Sequence, residues 1–132
     1  MIYESGEMYL ETILILAQAH PEVHAVDIAA EMNISKPSVS RALGRLKDEN
    51  CIIIDASGRI AFTEKGRSIA EKIYERHQVL SELLVSLGVT PEVAAEDACR
   101  IEHDISDETF QCIKNHRARY LHGGSDPGSS VR

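Results

Sequence analysis

Apolar residues recur at helical spacing as Tyr9, Leu10, Ile13, Leu14, Leu16 and Ala17, and the pattern stops at Pro21. Ser5 is placed to cap this first helix, which displays Met8 and Glu11, three apart, on one side. A short second helix is expected from Val26 to Met32, closed by the tight turn Asn33-Ile34-Ser35. Ser35 reads as the cap of a third helix running to about Glu49, with Pro37 in the first turn, where a missing amide proton costs little. Residues 51–54 and 60–62 are short and β-favouring, and Asp55-Ala56-Ser57-Gly58-Arg59 between them completes a hairpin. Thr63 caps a long fourth helix with apolar positions Ile69, Ile73, Leu80, Leu84 and Leu87, ended by Gly88, and His77 occupies the gap in that stripe. Thr90-Pro91-Glu92 opens a fifth helix carrying Cys99, Glu102 and His103. Ser106-Asp107-Glu108 opens a sixth with Phe110, Ile113 and Tyr120 as its inner face.

Helix, short turn, helix and hairpin, in that order, is the order of a winged helix-turn-helix, in which the second helix of the pair enters the major groove and the hairpin lies along the backbone. The expected fold class is therefore mainly α with a small β-hairpin wing: a winged helix-turn-helix followed by a helical dimerisation domain. The boundaries expected are 1–65 for the DNA-binding domain and 66–122 for the helical metal-binding and dimerisation domain. Residues 123–132 follow as a disordered tail, because Gly123 to Ser130 has no apolar content.

Charge sharpens this reading. The formal net charge of −7 argues against a chain held to nucleic acid by bulk electrostatics, so any DNA contact must be local. Between Ser35 and Gly66 the six bases Lys36, Arg41, Arg45, Lys47, Arg59 and Lys65 face four acids, a local charge of +2. On the third helix Val39, Leu43 and Leu46 point inward, which leaves Lys36, Ser38, Arg41 and Arg45 outward. Lys36, Pro37, Ser38 and Arg41 are the candidates for base-edge contact with double-stranded operator DNA, and Arg45, Arg59 and Lys65 for phosphate positioning. The bland alternative is a solvated basic face on a helical hairpin. No apolar run approaches the roughly 18 residues needed to span a bilayer, and the opening Met1-Ile2-Tyr3-Glu4 lacks a targeting pattern. Cys51, Cys99 and Cys112 match no disulfide scaffold, so reduced thiols and a cytoplasmic location are expected, without a membrane partner.

Six side chains suited to a divalent transition metal fall where helices can gather them: Met8, Glu11, His77, Cys99, Glu102 and His103. Cys99, Glu102 and His103 stand at i, i+3 and i+4, so a thiolate, a carboxylate and an imidazole converge on one helix face. Singly, Met8 reads equally as core packing, His77 as a partly buried histidine and Cys99 as a small buried hydrophobe. A zinc hydrolase helix of the inverted His-x-x-Glu-His kind would need His at position 99, and no positioned acid/base is identifiable, so no enzyme is expected. The rival regulator responds to a small organic ligand or to oxidation of Cys99. Thiolate and thioether favour Fe(II), the two carboxylates keep Mn(II) open, and Zn(II), Co(II) or Ni(II) should bind in vitro.

The sequence resembles the diphtheria-toxin-repressor superfamily, iron-dependent repressors and the smaller manganese transport regulators among them, over about residues 4 to 120. The likeness is carried by Glu7-Met8-Tyr9-Leu10-Glu11, Asp27-Ile28-Ala29, Pro37-Ser38-Val39-Ser40, Thr63-Glu64-Lys65-Gly66, Arg76-His77 and the run from Asp97 to Ser106. It implies a homodimeric repressor with metal as corepressor, controlling metal-homeostasis genes. Met8, Cys99, Glu102 and His103 match the iron-type primary site; Glu11 and His77 match ligands of the manganese type. Ser81 and Ala95 stand where the iron type has ancillary ligands, so one full site per chain is expected, with a second weak or absent.

Overall fold

The computed structural model describes residues 4–119. In chain order these form α1 (Glu4–Ala19), α2 (Ala25–Met32), α3 (Lys36–Asp48), β1 (Ile52–Ile54), β2 (Ile60–Phe62), α4 (Glu64–Ser86), α5 (Pro91–Ile101) and α6 (Asp107–Arg117). Tyr120 and the expected tail lie outside the described residues. The chain divides into two compact units between Ile73 and Tyr74, a break that falls inside α4.

In the first unit, α1 packs on α2 and α3, α2 on α3, and α3 on β1. Leu10, Ile13, Ile28, Val39, Leu43, Leu46 and Ile52 are buried. Burial of one such side chain is worth about 1.5–3 kcal/mol, so this apolar set dominates the unit's cohesion. Helical backbone reaches Glu4, so Ser5 lies inside α1 rather than at its cap. Ala17, expected on the inner face, is exposed. His24 caps α2: its backbone is extended and its amide donates to Asp27 Oδ2 at 2.8 Å, a capping box built from unusual residue types. Asn33, at φ 56°, closes α2 in the left-handed conformation. Ser35 caps α3 as expected, accepting from the Ser38 amide.

The wing is antiparallel, with Ile52 opposite Phe62 and Ile54 opposite Ile60. Its turn is organised by Asp55, whose Oδ1 accepts from the Ser57 amide at 2.9 Å, the Ser57 hydroxyl at 2.7 Å and the Arg59 amide at 2.9 Å. The Ser57 hydroxyl, followed by the Arg59 amide, holds the Asp55 carboxyl below the usual aspartate range. Gly58, at φ +89°, supplies the left-handed residue of the turn. The hairpin is tied down where the Ile60 amide donates to the Val23 carbonyl at 2.8 Å.

The Thr63-Glu64-Lys65-Gly66 run explains how the wing hands over to α4. Thr63 Oγ1 accepts from the Gly66 amide and donates to the Asn50 carbonyl at 2.7 Å. A methyl group at Gly66 would sit 1.9 Å from the Cys51 carbonyl oxygen, so only glycine lets the helix approach the strand this closely. Burial pushes the Cys51 thiol above the usual thiol range.

In the second unit Val79, Leu80, Ala94, Ala98 and Phe110 are buried. The expected α4 stripe holds at Ile73 and Leu80 but not at Leu87, which lies beyond the helix end and is 71% exposed. Val79 is buried instead, next to the gap left for His77. Thr90 and Ser106 cap α5 and α6 through bonds from the Val93 and Thr109 amides.

Candidate metal centre and DNA-reading face

α5 ends at Ile101, which leaves Glu102 as its C-cap and His103 in the turn beyond; both were expected inside the helix. Glu102 nevertheless keeps right-handed helical backbone (φ −58°, ψ −26°), so the helical path carries its side chain round to the Cys99 face. The Cys99 thiol, a Glu102 carboxylate oxygen and a His103 ring nitrogen lie within 4.8 Å of one another. His77, from α4, joins them: its Nδ1 is 2.8 Å from Glu102 Oε1. Four of the six expected residues are thus gathered in the second unit. Met8 and Glu11 belong to α1 in the first unit, Met8 half-buried and Glu11 buried.

Glu102 is fully buried, at 0% exposure. One oxygen faces His77, whereas Oε2 accepts no hydrogen bond among the described residues and lies 3.5 Å from His103 Nε2. A buried carboxylate with an oxygen left over is costly unless a cation completes it. The donor set, one thiolate sulfur, one carboxylate and two imidazoles, fits a borderline divalent ion, and the residues pass that chemical test. Ser81 is half-buried and Ala95 exposed, and neither offers a strong ligand for a second ion.

Arg76 stands outside the expected set of site residues. Its side chain is 7% exposed. Nη1 donates to the carbonyls of Glu102 at 3.0 Å and Ile105 at 2.9 Å, and Nη2 pairs with Asp107 Oδ1. The guanidinium carbon stands 5.3 Å from the Phe110 ring centroid. The position beside His77 hinted at a role, but the partners lie 26 to 31 residues away.

On α3, Val39, Ala42, Leu43 and Leu46 are buried, and Lys36, Pro37, Arg41 and Arg45 are exposed. Ser38 is half-buried, its hydroxyl oxygen accepting from the Ser35 hydroxyl and from Arg41 Nη2 at 3.3 Å. Arg59 is exposed on the wing turn. Lys65 Nζ donates to the Glu49 carbonyl at 2.8 Å, which places its charge at the foot of α3. Arg67, absent from the expected set, stands over the Phe62 ring at 5.3 Å and adds a cation beside the wing.

A winged helix-turn-helix followed by a thiolate, carboxylate and imidazole cluster defines a metal-responsive DNA-binding regulator. The chain belongs to the iron-dependent repressor family: residues 1–55 match its N-terminal DNA-binding domain, and residues 63–124 its metal-binding and dimerisation domain. It is 35% identical over 106 residues to the transcriptional regulator MntR of Escherichia coli, covering 80% of this chain and 68% of that protein. It is 30% identical to the iron-dependent repressor IdeR of Mycobacterium tuberculosis over 81% of this chain and 47% of that protein. The structure of the manganese regulator SloR superposes with a TM-score of 0.76 at 26% identity, over 88% of this chain. The chain spans about half of that structure, 54% of its length.

Proposed function

We propose that this protein is a homodimeric, cytoplasmic repressor of metal-homeostasis genes, with Fe(II) as corepressor held by Cys99, Glu102, His103 and His77. Met8 and Glu11, on α1, are candidate metal ligands by their own chemistry, a thioether and a carboxylate. The observation that carries the reading is the convergence of thiol, carboxylate and imidazole within 4.8 Å around a buried Glu102 oxygen that accepts no hydrogen bond among the described residues. A bound divalent ion supplies positive charge next to this buried oxygen. Thiolate softness selects Fe(II) over Mn(II).

Lys36, Pro37, Ser38 and Arg41 serve as the base-reading group, and Arg45, Arg59 and Lys65 as phosphate positioners, since α3 presents a cationic face from an apolar underside. Homodimerisation is supported by the exposure of Val85 (43%), Leu87 (71%) and Val93 (45%) at the end of α4 and on α5. In a dimer the two recognition helices meet half-sites about 34 Å apart or a multiple of that.

Anaerobic titration of Fe(II) and of Mn(II) against DNA fragments selected from a random pool tests the proposal. Fe(II) should tighten DNA binding and a chelator should reverse it; equal affinity with and without chelator would sink the corepressor reading. Tightening by Mn(II) alone would reassign the ion.

A further inference from the structure

α4 grips Glu102 twice from adjacent positions. His77 meets the carboxylate through Nδ1 at 2.8 Å, and Arg76 donates to the same residue's main-chain carbonyl at 3.0 Å. The guanidinium then reaches over the turn to the Ile105 carbonyl and to Asp107 in the first turn of α6, and lies against Phe110. Glu102 and His103 therefore sit in a turn whose two ends are held by one rigid, planar cation. Five donors in a fixed fork make this possible, and a lysine ammonium on a flexible stem cannot reproduce it.

A short turn after a helix end is ordinarily the least restrained part of such a structure, because the last carbonyls of the helix lack intrahelical partners. Here the Glu102 carbonyl finds its partner in Arg76, at the residue whose side chain must be held for the cluster to form. We propose that Arg76 is the positioning residue of this cluster, fixing the 102–106 turn so that Glu102 and His103 are presented together with Cys99 before any ion arrives. The proposal rests on the metal-site reading above. It also assigns Asp107 a part: by anchoring the far side of the guanidinium it couples the start of α6 to the cluster.

The test uses Co(II), whose thiolate charge-transfer band reports the Cys99 sulfur and whose d–d bands report coordination geometry. Arg76→Met keeps an apolar stem of similar length while removing the fork and its place over the Phe110 ring. It should bind Co(II) roughly 10- to 100-fold more weakly, the range seen when outer partners of metal ligands are removed, and with altered d–d bands. Arg76→Lys should fall between, and Asp107→Asn, at an exposed side chain, should lose a few-fold with folding intact. Circular dichroism separates unfolding from lost presentation; if Arg76→Met fails to fold, the Arg76→Lys and Asp107→Asn measurements decide. Wild-type Co(II) affinity and spectra in all folded variants, alongside loss of binding in Glu102→Ala, would overturn the positioning role and leave the metal site standing. Full recovery by Arg76→Lys would overturn it too, since charge rather than fork geometry would then suffice. No Co(II) binding by the wild type would sink the metal reading itself and the proposal with it.

Discussion

The two units of this chain are built on different terms. The first buries Leu10, Ile13, Ile28, Val39 and Ile52 with a carboxylate, Glu11 at 8% exposure, among them, and carries its basic residues outside, on α3 and the wing. The second is cut through by buried polar groups: Glu102 at 0% exposure, Arg76 at 6%, and the His103 side chain at 1%. An apolar interior holds a reading head in shape without any partner. Ionisable groups brought inside cost several kcal/mol each unless paired, so their presence marks where the molecule needs chemistry rather than cohesion. The contrast separates a unit that carries a basic helix face over an apolar interior from one that buries a carboxylate, an imidazole and a guanidinium close together.

The sharpest way to break that contrast is Glu102→Ala. Wild-type protein should gain about 2.7 kcal/mol of stability at an ion concentration one hundred times Kd. The variant should gain essentially none, and DNA binding should no longer respond to Fe(II); thermal melts with and without Fe(II) measure the difference. An undiminished ion-induced shift would remove Glu102 from the site. Gly66→Ala attacks the first unit where its packing is tightest. Because the new methyl group meets main-chain oxygen rather than a movable side chain, a loss of about 1–3 kcal/mol is expected from overpacking, read by urea denaturation.

A finer division runs inside the first unit. Arg41→Ala should cost about 1–3 kcal/mol of discrimination if the guanidinium reads a base edge, whereas Arg59→Ala should weaken all DNA alike and reduce the salt-dependence slope by about 0.9. Identical behaviour of the two variants in salt titrations would erase the distinction between reading and positioning. The smallest effect concerns the wing turn. Asp55 is held ionised by Ser57 and Arg59, so its folded carboxyl titrates below the unfolded one. The turn's extra stability is therefore present above the usual aspartate range and lost as pH falls through and below it. Amide exchange at Gly58 and Arg59 should accelerate there, and Asp55→Asn should abolish the pH step.

What the chain's own order determined is the part governed by neighbours in sequence. Ser35 caps the helix it was expected to cap, and Thr90 and Ser106 cap the helices their runs were expected to open, since a cap is satisfied by an amide three residues on. The inward face of α3 follows from periodicity, the wing from two β-favouring runs around a turn, and the nearness of Cys99, Glu102 and His103 from their closeness in the chain. Tertiary structure decided the rest. The helix end at Ile101, the glycine at 66 and the burial of Val79 in place of Leu87 each depend on groups remote in the chain. Arg76 is the clearest case: its place beside His77 drew attention to it, but nothing within four residues shows what it binds. Its meaning appears only when folding brings the carbonyls of Glu102 and Ile105 within reach, because a hydrogen bond is set by distance in space and a sequence records only distance along the backbone.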